Sequence, residues 1–394
     1  MRIGVMGAAG GVGAVIARTV AAEKDVEEVF AADIDQARME RIAQRIGSPK
    51  LKAERLDLKD MGAVDKFLKH CDVVVNSTWD DFNKPITDAV FKAGVDLVDL
   101  TSSQSGTEFL QLRRIDDAKR AGVRILLELG VAPGITNFLA VASANTLDKV
   151  DTVKIRLGRR PLPNPRALFS FTVRGILEEW TWQAPVLHNG KLELRDPLSQ
   201  KETIEFPEPI GKRDVYLTPH EEPIMLARSL ASKGVREVDY YMPHHYDLWS
   251  AFRKVEMLSD KPFRYRGIEF SPLEFLQSYL AQFQTNIVGD EQPIVDEACV
   301  WTEVVGDRGG KRRRLRRWCI ARARPEWRAA TTHIATGTPA ALGALALGRG
   351  QVKEPGIYCP EEVLPAEPFL EELGRRGFEF HFEDVAFKGK AAGA

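Results

Sequence analysis

The stretch Met1-Arg-Ile-Gly-Val-Met6-Gly7-Ala-Ala-Gly10-Gly11-Val12-Gly13 opens the chain and decides its fold. An apolar run ends at Met6, a glycine-rich turn follows, and Val12, Val15, Ile16 and Val20 then recur at helical spacing. This order predicts strand, tight turn and helix. In such a turn Gly7 permits the sharp reversal, Gly10 and Gly11 let backbone amides approach a pyrophosphate, and Gly13 lets the helix pack closely on the sheet. Val12 opens that helix and belongs to the same cofactor-binding stretch. Asp33 lies twenty positions beyond Gly13, at the end of the next apolar run. A carboxylate there can accept hydrogen bonds from both ribose hydroxyls of NAD and would repel the additional phosphate of NADP, so NAD is the expected cofactor.

Outward from this turn, apolar runs at 3–6, 26–32, 51–58, 72–76, 96–100 and 125–129 read as six strands. Between them, 35–46, 61–70, 85–94 and 108–121 place apolar residues three and four apart, as crossover helices would. The expected fold is α/β, a Rossmann-type doubly wound parallel sheet, joined to an α+β second domain with a mostly antiparallel open sheet. Ligands of open α/β sheets lie beyond the carboxyl ends of the strands. The candidates there are Asp57 and Leu58 near an adenine, Asn76, Ser77 and Thr78 near a nicotinamide ribose, then Asp99, Thr101 and Glu128. The glycine spacing also occurs in short-chain dehydrogenases, which carry a Tyr-x-x-x-Lys pair, but no tyrosine of this sequence has a lysine four residues later.

Past residue 129 the rhythm changes to longer alternating segments at 153–157, 168–173 and 235–242, the signature of the second sheet. Its clearest hairpin joins 299–305 to 314–323 through Gly306-Asp-Arg-Gly-Gly310. The basic run Lys311-Arg-Arg-Arg-Leu-Arg-Arg317 on that hairpin reads as a solvated face rather than a nucleic-acid patch, since it lacks interleaved aromatics. Lysine plus arginine (55) balance aspartate plus glutamate (56), so neither nucleic acid nor a membrane surface is an expected partner. Cys71, Cys299, Cys319 and Cys359 form no C-x-x-C pair, which fits a reducing compartment. With no charged leader segment, the expected location is cytoplasmic. Adjacent His244 and His245 would point to opposite faces of a strand, so no metal site is expected. Trp180, Trp182 and Trp249 read as core or interface residues.

The stretches Val73-Val-Val-Asn-Ser-Thr78, Gly94-Val-Asp-Leu-Val-Asp-Leu100, Leu129-Gly-Val-Ala-Pro-Gly-Ile-Thr-Asn137, Thr338-Pro-Ala-Ala-Leu-Gly-Ala344 and Gly356-Ile-Tyr-Cys-Pro-Glu-Glu-Val-Leu-Pro365 resemble the saccharopine reductase and lysine 6-dehydrogenase family. The resemblance spans nearly the whole chain and is weakest at 161–232. It implies nicotinamide-dependent oxidation of a carbon bearing nitrogen, or reduction of the matching imine, on a small-molecule amine or amino acid such as L-lysine. It also implies that the tail returns to the first domain, giving domains at 1–129, 130–335 and 336–394. Such chemistry needs a group to move the amine proton and an anchor for a carboxylate. Asp99 closes a strand at the ligand edge, His220 and Glu221 form a proton-transfer pair, and Arg174 offers a planar fork for a substrate carboxylate. The residues around Arg174 depart from the acidic or proline-containing version of lysine 6-dehydrogenases. Two other readings stand beside this one: a reductase that condenses an amino acid with a carbonyl partner, and a non-catalytic NAD-binding redox sensor. A homodimer is expected, because family members pair through the second sheet and strands such as 235–242 would otherwise leave an edge to cover.

Overall fold

A computed structural model describes residues 1–102, 104–160, 172–284 and 296–386. The chain divides into two compact units, one of residues 1–145 with 333–379, the other of 146–332 with 380–394.

The first unit is built on β1 (Arg2–Met6), β2 (Glu28–Asp33), β3 (Leu51–Arg55), β4 (Val73–Asn76) and β5 (Asp96–Asp99), with α1 (Gly11–Ala21), α2 (Gln36–Ile46), α3 (Met61–Leu68) and α4 (Asn83–Ala93) between them. The strand Arg124–Leu127 follows, and Gly356–Tyr358 from the tail adds a seventh. The order is Gly356–Tyr358, Arg124–Leu127, β5, β4, β1, β2, β3, all parallel. Strand side chains such as Val73, Val74 and Val75 are buried on both faces, as helices covering both sides require. The chain steps outward from β1 in both directions, to β2 on one side and β4 on the other. That reversal opens a crevice at the ends of β1 and β4.

The helix expected at 108–121 is shorter. Residues 104–109 make a small two-stranded ladder, Phe109 is fully buried, and a 3-10 turn Leu110–Arg114 runs into the helix Ile115–Ala121. The buried phenylalanine fixes the turn, so helical winding begins only after it. The helix Ile135–Ala144 also belongs to the first unit, although the motif reading placed it in the second domain.

The second unit carries a nine-stranded mixed sheet. Its order is Lys191–Arg195, Ala184–His188, Glu237–Met242, Lys149–Arg159, Glu297–Arg308, Lys311–Arg322 and Glu379–Ala386, with Gly211–Leu217 bridging Lys201–Phe206 to Glu237–Met242. Glu237–Met242 runs parallel to Lys149–Arg159, whereas the hairpins, the pairings of Glu237–Met242 with Ala184–His188 and Gly211–Leu217, and that of Glu297–Arg308 with Lys149–Arg159 are antiparallel. The expected hairpin is longer than its sequence signal. Arg308 pairs with Lys311 across Gly309-Gly310, whose φ values of +57° and +72° suit a two-residue turn that follows the twist of the strands. The strand signal at 168–173 falls largely outside the described residues; Val173 starts the helix Val173–Thr181.

Two corrections concern the edges of this sheet. The strand at 237–242 lies inside it, with Ala184–His188, Gly211–Leu217 and Lys149–Arg159 as partners, so it leaves no edge that a second copy must cover. The last strand, Glu379–Ala386, joins the second sheet rather than the first, held by Asp384 to Arg308 (2.5 Å) and Arg313 (2.6 Å) and by His381 stacked on Trp318. Arginines of the basic run are likewise engaged: Arg312 with Asp151, Arg314 and Arg316 with Glu303. Among the described residues no helix is long and apolar enough to cross a membrane.

Candidate active site

In the first unit, Gly7 takes φ +78°, and both Gly7 N and Ala8 N donate to Ala32 O, which locks the turn onto β2. A Cβ on Gly13 would stand 2.3 Å from Gly7 O, so this position admits only glycine. Gly10 precedes α1 without contributing a side-chain cap, and Gly10 to Val12 are not buried. The first amides of α1 thus take no side-chain cap from Gly10, and the positive end of the helix there suits an anionic ligand. Asp33 accepts from Ala9 N and Asp35 N, each at 3.0 Å, one bond on each carboxylate oxygen. A carboxylate has about four lone-pair sites, so two remain for hydroxyl donors. The turn, the helix end without a side-chain cap and this carboxylate would suit a dinucleotide, in which Gly7, Gly10, Gly11, Val12 and Gly13 would stand at the diphosphate and Asp33 at the ribose.

The end of β4 meets this turn. Ser77 donates from N (3.1 Å) and Oγ (2.6 Å) to Met6 O, and a Cβ on Gly7 would lie 2.9 Å from both Ser77 O and Thr78 Cγ2. Asn76 Oδ1 accepts from Thr78 N and Oγ1, while its Nδ2 donates to Asp99 Oδ1 at 3.0 Å. Thr101 Oγ1 donates to Asn83 Oδ1 at 3.0 Å. Asp99 is wholly buried, and burial pushes its carboxyl up to about 7 against the hydrogen bonds from Thr101 and Asn76. It thus braces Asn76 and the strand ends instead of presenting a carboxylate outward. Asp57 accepts from Lys59 N at the end of β3, with Leu58 half-buried beside it.

The second unit concentrates titratable groups around Pro219-His220-Glu221-Glu222. His220 Nδ1 donates to Glu222 Oε2 at 2.6 Å, Glu221 Oε2 stands 3.7 Å away, and the ring stacks on Tyr240 at 3.9 Å between centroids. Burial opposes the imidazolium, but the charge and hydrogen bond of Glu222, with Glu221 and Glu179 behind it, outweigh burial and hold its pKa at about 10. Glu179, on the helix Val173–Thr181, is pushed up to about 8 by burial and by Glu221 and Glu178, against the pull of His220. His244 is fixed neutral: Trp180 Nε1 donates to its Nδ1 (3.2 Å), which leaves its Nε2–H for Thr218 Oγ1 (2.9 Å), and burial drops its pKa to about 3. Arg174 Nε donates to Glu178 at 2.8 Å, one turn along the same helix. His220, Glu221 and Glu222 bring donor atoms within 4.8 Å of one another, a spacing compatible with a cation, although the imidazole proton already serves Glu222.

Residues 3–126 match the saccharopine dehydrogenase NADP binding domain, and residues 130–378 match the saccharopine dehydrogenase C-terminal domain. The chain belongs to the saccharopine dehydrogenase family. A carboxyaminopropylagmatine dehydrogenase from Synechocystis sp. is 28% identical, with 95% of each chain covered. A carboxynorspermidine synthase from Vibrio cholerae serotype O1 is 25% identical, covering 93% of each. The apo saccharopine dehydrogenase (L-Glu forming) from Saccharomyces cerevisiae shares the fold at a TM-score of 0.73 and 18% identity, over 98% of this chain and all of that one.

The NADP binding domain match of this saccharopine dehydrogenase family member covers the stretch that contains the glycine turn. Among the groups singled out from sequence, Gly7, Ser77, Thr78, Asn76, Asp99 and Thr101 meet at one sheet edge, and His220 and Glu221 meet in the second unit. Trp180 and Trp249 are core residues, whereas Trp182 is 47% exposed. Glu179, Tyr240 and His244 were missed as members of the His220 group. Glu179 had a legible signal, since it flanks the apolar stripe Val173, Ile176, Leu177 and Trp180 of an amphipathic helix.

Proposed function

We propose that this chain is an NAD-dependent oxidoreductase of the C–N bond in a secondary amine that joins a cationic, polyamine-like amine to a short carboxylated arm. The observation that carries the reading is His220, a part-buried imidazole whose Nδ1 is spent on Glu222 while no described residue bonds Nε2. Nε2 is then the atom that exchanges a proton with substrate nitrogen. In the oxidising direction the amine nitrogen gives up its proton, the neighbouring carbon gives up hydride, and a C=N bond forms. Water then adds to that carbon and releases an aldehyde and a primary amine. Bound nicotinamide supplies the hydride sink in this direction and the source in the other. Arg174 is assigned to the carboxylate of the arm, and Asp99 to holding Asn76 in place.

The relatives that match along their whole length favour the condensing alternative over oxidation of lysine itself, because both are named for carboxylated derivatives of polyamine-type amines. NAD is preferred in this reading because Asp33 is followed by Ile34, 59% exposed, and Asp35, so the turn offers no cation to a further phosphate. That assignment differs from the NADP in the family description.

The test monitors NADH and NADPH absorbance with purified protein. One arm supplies carboxyaminopropylagmatine; another supplies agmatine or a simple diamine with an α-amino acid bearing a terminal aldehyde; a third supplies lysine alone. Turnover in the first two with NAD(H) is expected, together with a shift toward NADP(H) in Asp33→Ala, where the carboxylate that repels the further phosphate is gone. Turnover on lysine alone would restore the 6-dehydrogenase reading, and NAD binding without turnover in any arm would favour the sensor.

A further inference from the structure

We propose that Glu179 is the anion that receives the ammonium group of the amine substrate and thereby selects a cationic amine over a neutral one. The inference rests on the amine-oxidoreductase reading and adds a specificity-determining residue to it.

Glu179 Oε2 is shielded from solvent and, among the described residues, has no hydrogen-bond donor. A buried acceptor without a donor is costly, and native structures seldom keep one without a purpose. Two nearby donor protons are committed elsewhere, and His220 Nε2 makes no bond to Oε2. His244 Nε2, 4.0 Å away, belongs to a neutral ring whose remaining proton serves Thr218. The Nδ1 proton of His220 serves Glu222. No described residue supplies a donor at Oε2, and an ammonium would bring three with a compensating charge. The surroundings suit a cation: Glu221 and Glu178 add negative charge near the carboxyl. The aromatic face of Tyr240 lies under the neighbouring imidazole.

Protons provide a readout that a merely structural role would not move. The groups facing Glu179 are His220, Glu221, Glu178 and His244; burial, helped by Glu221 and Glu178 and opposed by His220, keeps its carboxyl protonated at neutral pH. When an ammonium docks, the carboxyl must ionise, and its proton passes to solvent. Binding then releases one proton per amine at pH 7 and nearly none at pH 9, where the carboxyl has already lost it.

The experiment is calorimetric titration of the NAD-loaded protein with agmatine, and separately with 1,3-diaminopropane, in phosphate and in Tris. The dependence of the heat on buffer counts the protons. Wild-type protein is expected to release about one proton at pH 7 and to stop doing so at pH 9. Glu179→Gln should abolish the release and weaken the amine at least about tenfold, the scale of one charged hydrogen bond, with the NAD dissociation constant unchanged. The same proton count in Glu179→Gln as in wild type, or a wild-type count that persists at pH 9, overturns the assignment. A wild-type protein that binds NAD and neither amine overturns the parent reading instead. Because the pH comparison uses wild-type protein alone, a variant that fails to fold does not protect the proposal.

Discussion

His220 shows how one side chain acquires its chemistry from neighbours. An imidazole alone titrates near neutrality. Here burial works toward the neutral ring, and the three carboxylates of Glu222, Glu221 and Glu179 work harder toward the charged one. Its folded pKa is raised, so the imidazolium is the resting form at pH 7 and proton donation is lost as pH rises through about 10. Amine oxidation needs the opposite form. Its kcat is therefore expected to climb by about tenfold per pH unit from neutrality toward the alkaline plateau, while the reductive direction, which uses the imidazolium, stays level over that window and declines only above about pH 10. His220→Gln should lower both by roughly 10²–10⁴ and flatten the profile. A stopped-flow pH series on both proteins decides it: an unchanged slope in the variant removes His220 from the proton path. From sequence, this residue was visible only as a loop histidine beside an acid; the stack on Tyr240 and the charge of Glu179 come from elements far away in the chain.

At the scale of elements, legibility followed the number of local constraints. Strand, turn and α1 were readable because glycine conformation, helical periodicity and the spacing to Asp33 all point the same way. The 3-10 turn at Leu110–Arg114 was hidden because burial of Phe109 overrides a helical pattern. The role of Asp99 was hidden for a related reason: position at a strand end is local, whereas burial under α4 and the bond to Asn76 are not. That burial carries a stability prediction. The folded pKa of Asp99, about 7, lies above its unfolded value, so its contribution is fully present below about pH 4 and is lost as pH rises toward 7. Above that, an ionised carboxylate is held without solvent, at a cost on the order of a few kcal/mol. Asp99→Asn keeps an acceptor for Asn76 and cannot ionise. Its melting temperature should exceed that of wild type by several degrees at pH 8 and match it near pH 4.5. An equal shift at both pH values would show that side-chain shape rather than ionisation governs the site.

For the whole molecule, the chain passes between units after residues 145, 332 and 379. The family resemblance indicated that the tail returns to the first unit, and Gly356–Tyr358 does so as the seventh strand. It could not indicate that the chain leaves again, because the pattern at 379–386 is a plain alternation with no partner named in the sequence. The partner is visible only in the fold, where Asp384 answers Arg308 and Arg313, His381 covers Trp318 and Phe382 lies under Arg317. This also explains part of the basic hairpin: its arginines hold a strand and neighbouring carboxylates. A stop after Glu379 tests the assignment. Each exposed ion pair is worth at most about 1 kcal/mol and the aromatic stack about 0.5–1.5. With the loss of strand pairing, the truncated protein should melt about 5–10 °C lower, as a few kcal/mol would in a domain of this size. Near-UV circular dichroism should report the change at Trp318, which packs against the buried cluster of Val186, Val215 and Ile320. The NAD dissociation constant should stay within twofold of wild type, because the glycine turn and Asp33 belong to the other unit. A truncated protein with unaltered melting would mean that the second sheet does not depend on its last strand, and the arginines would then need another purpose.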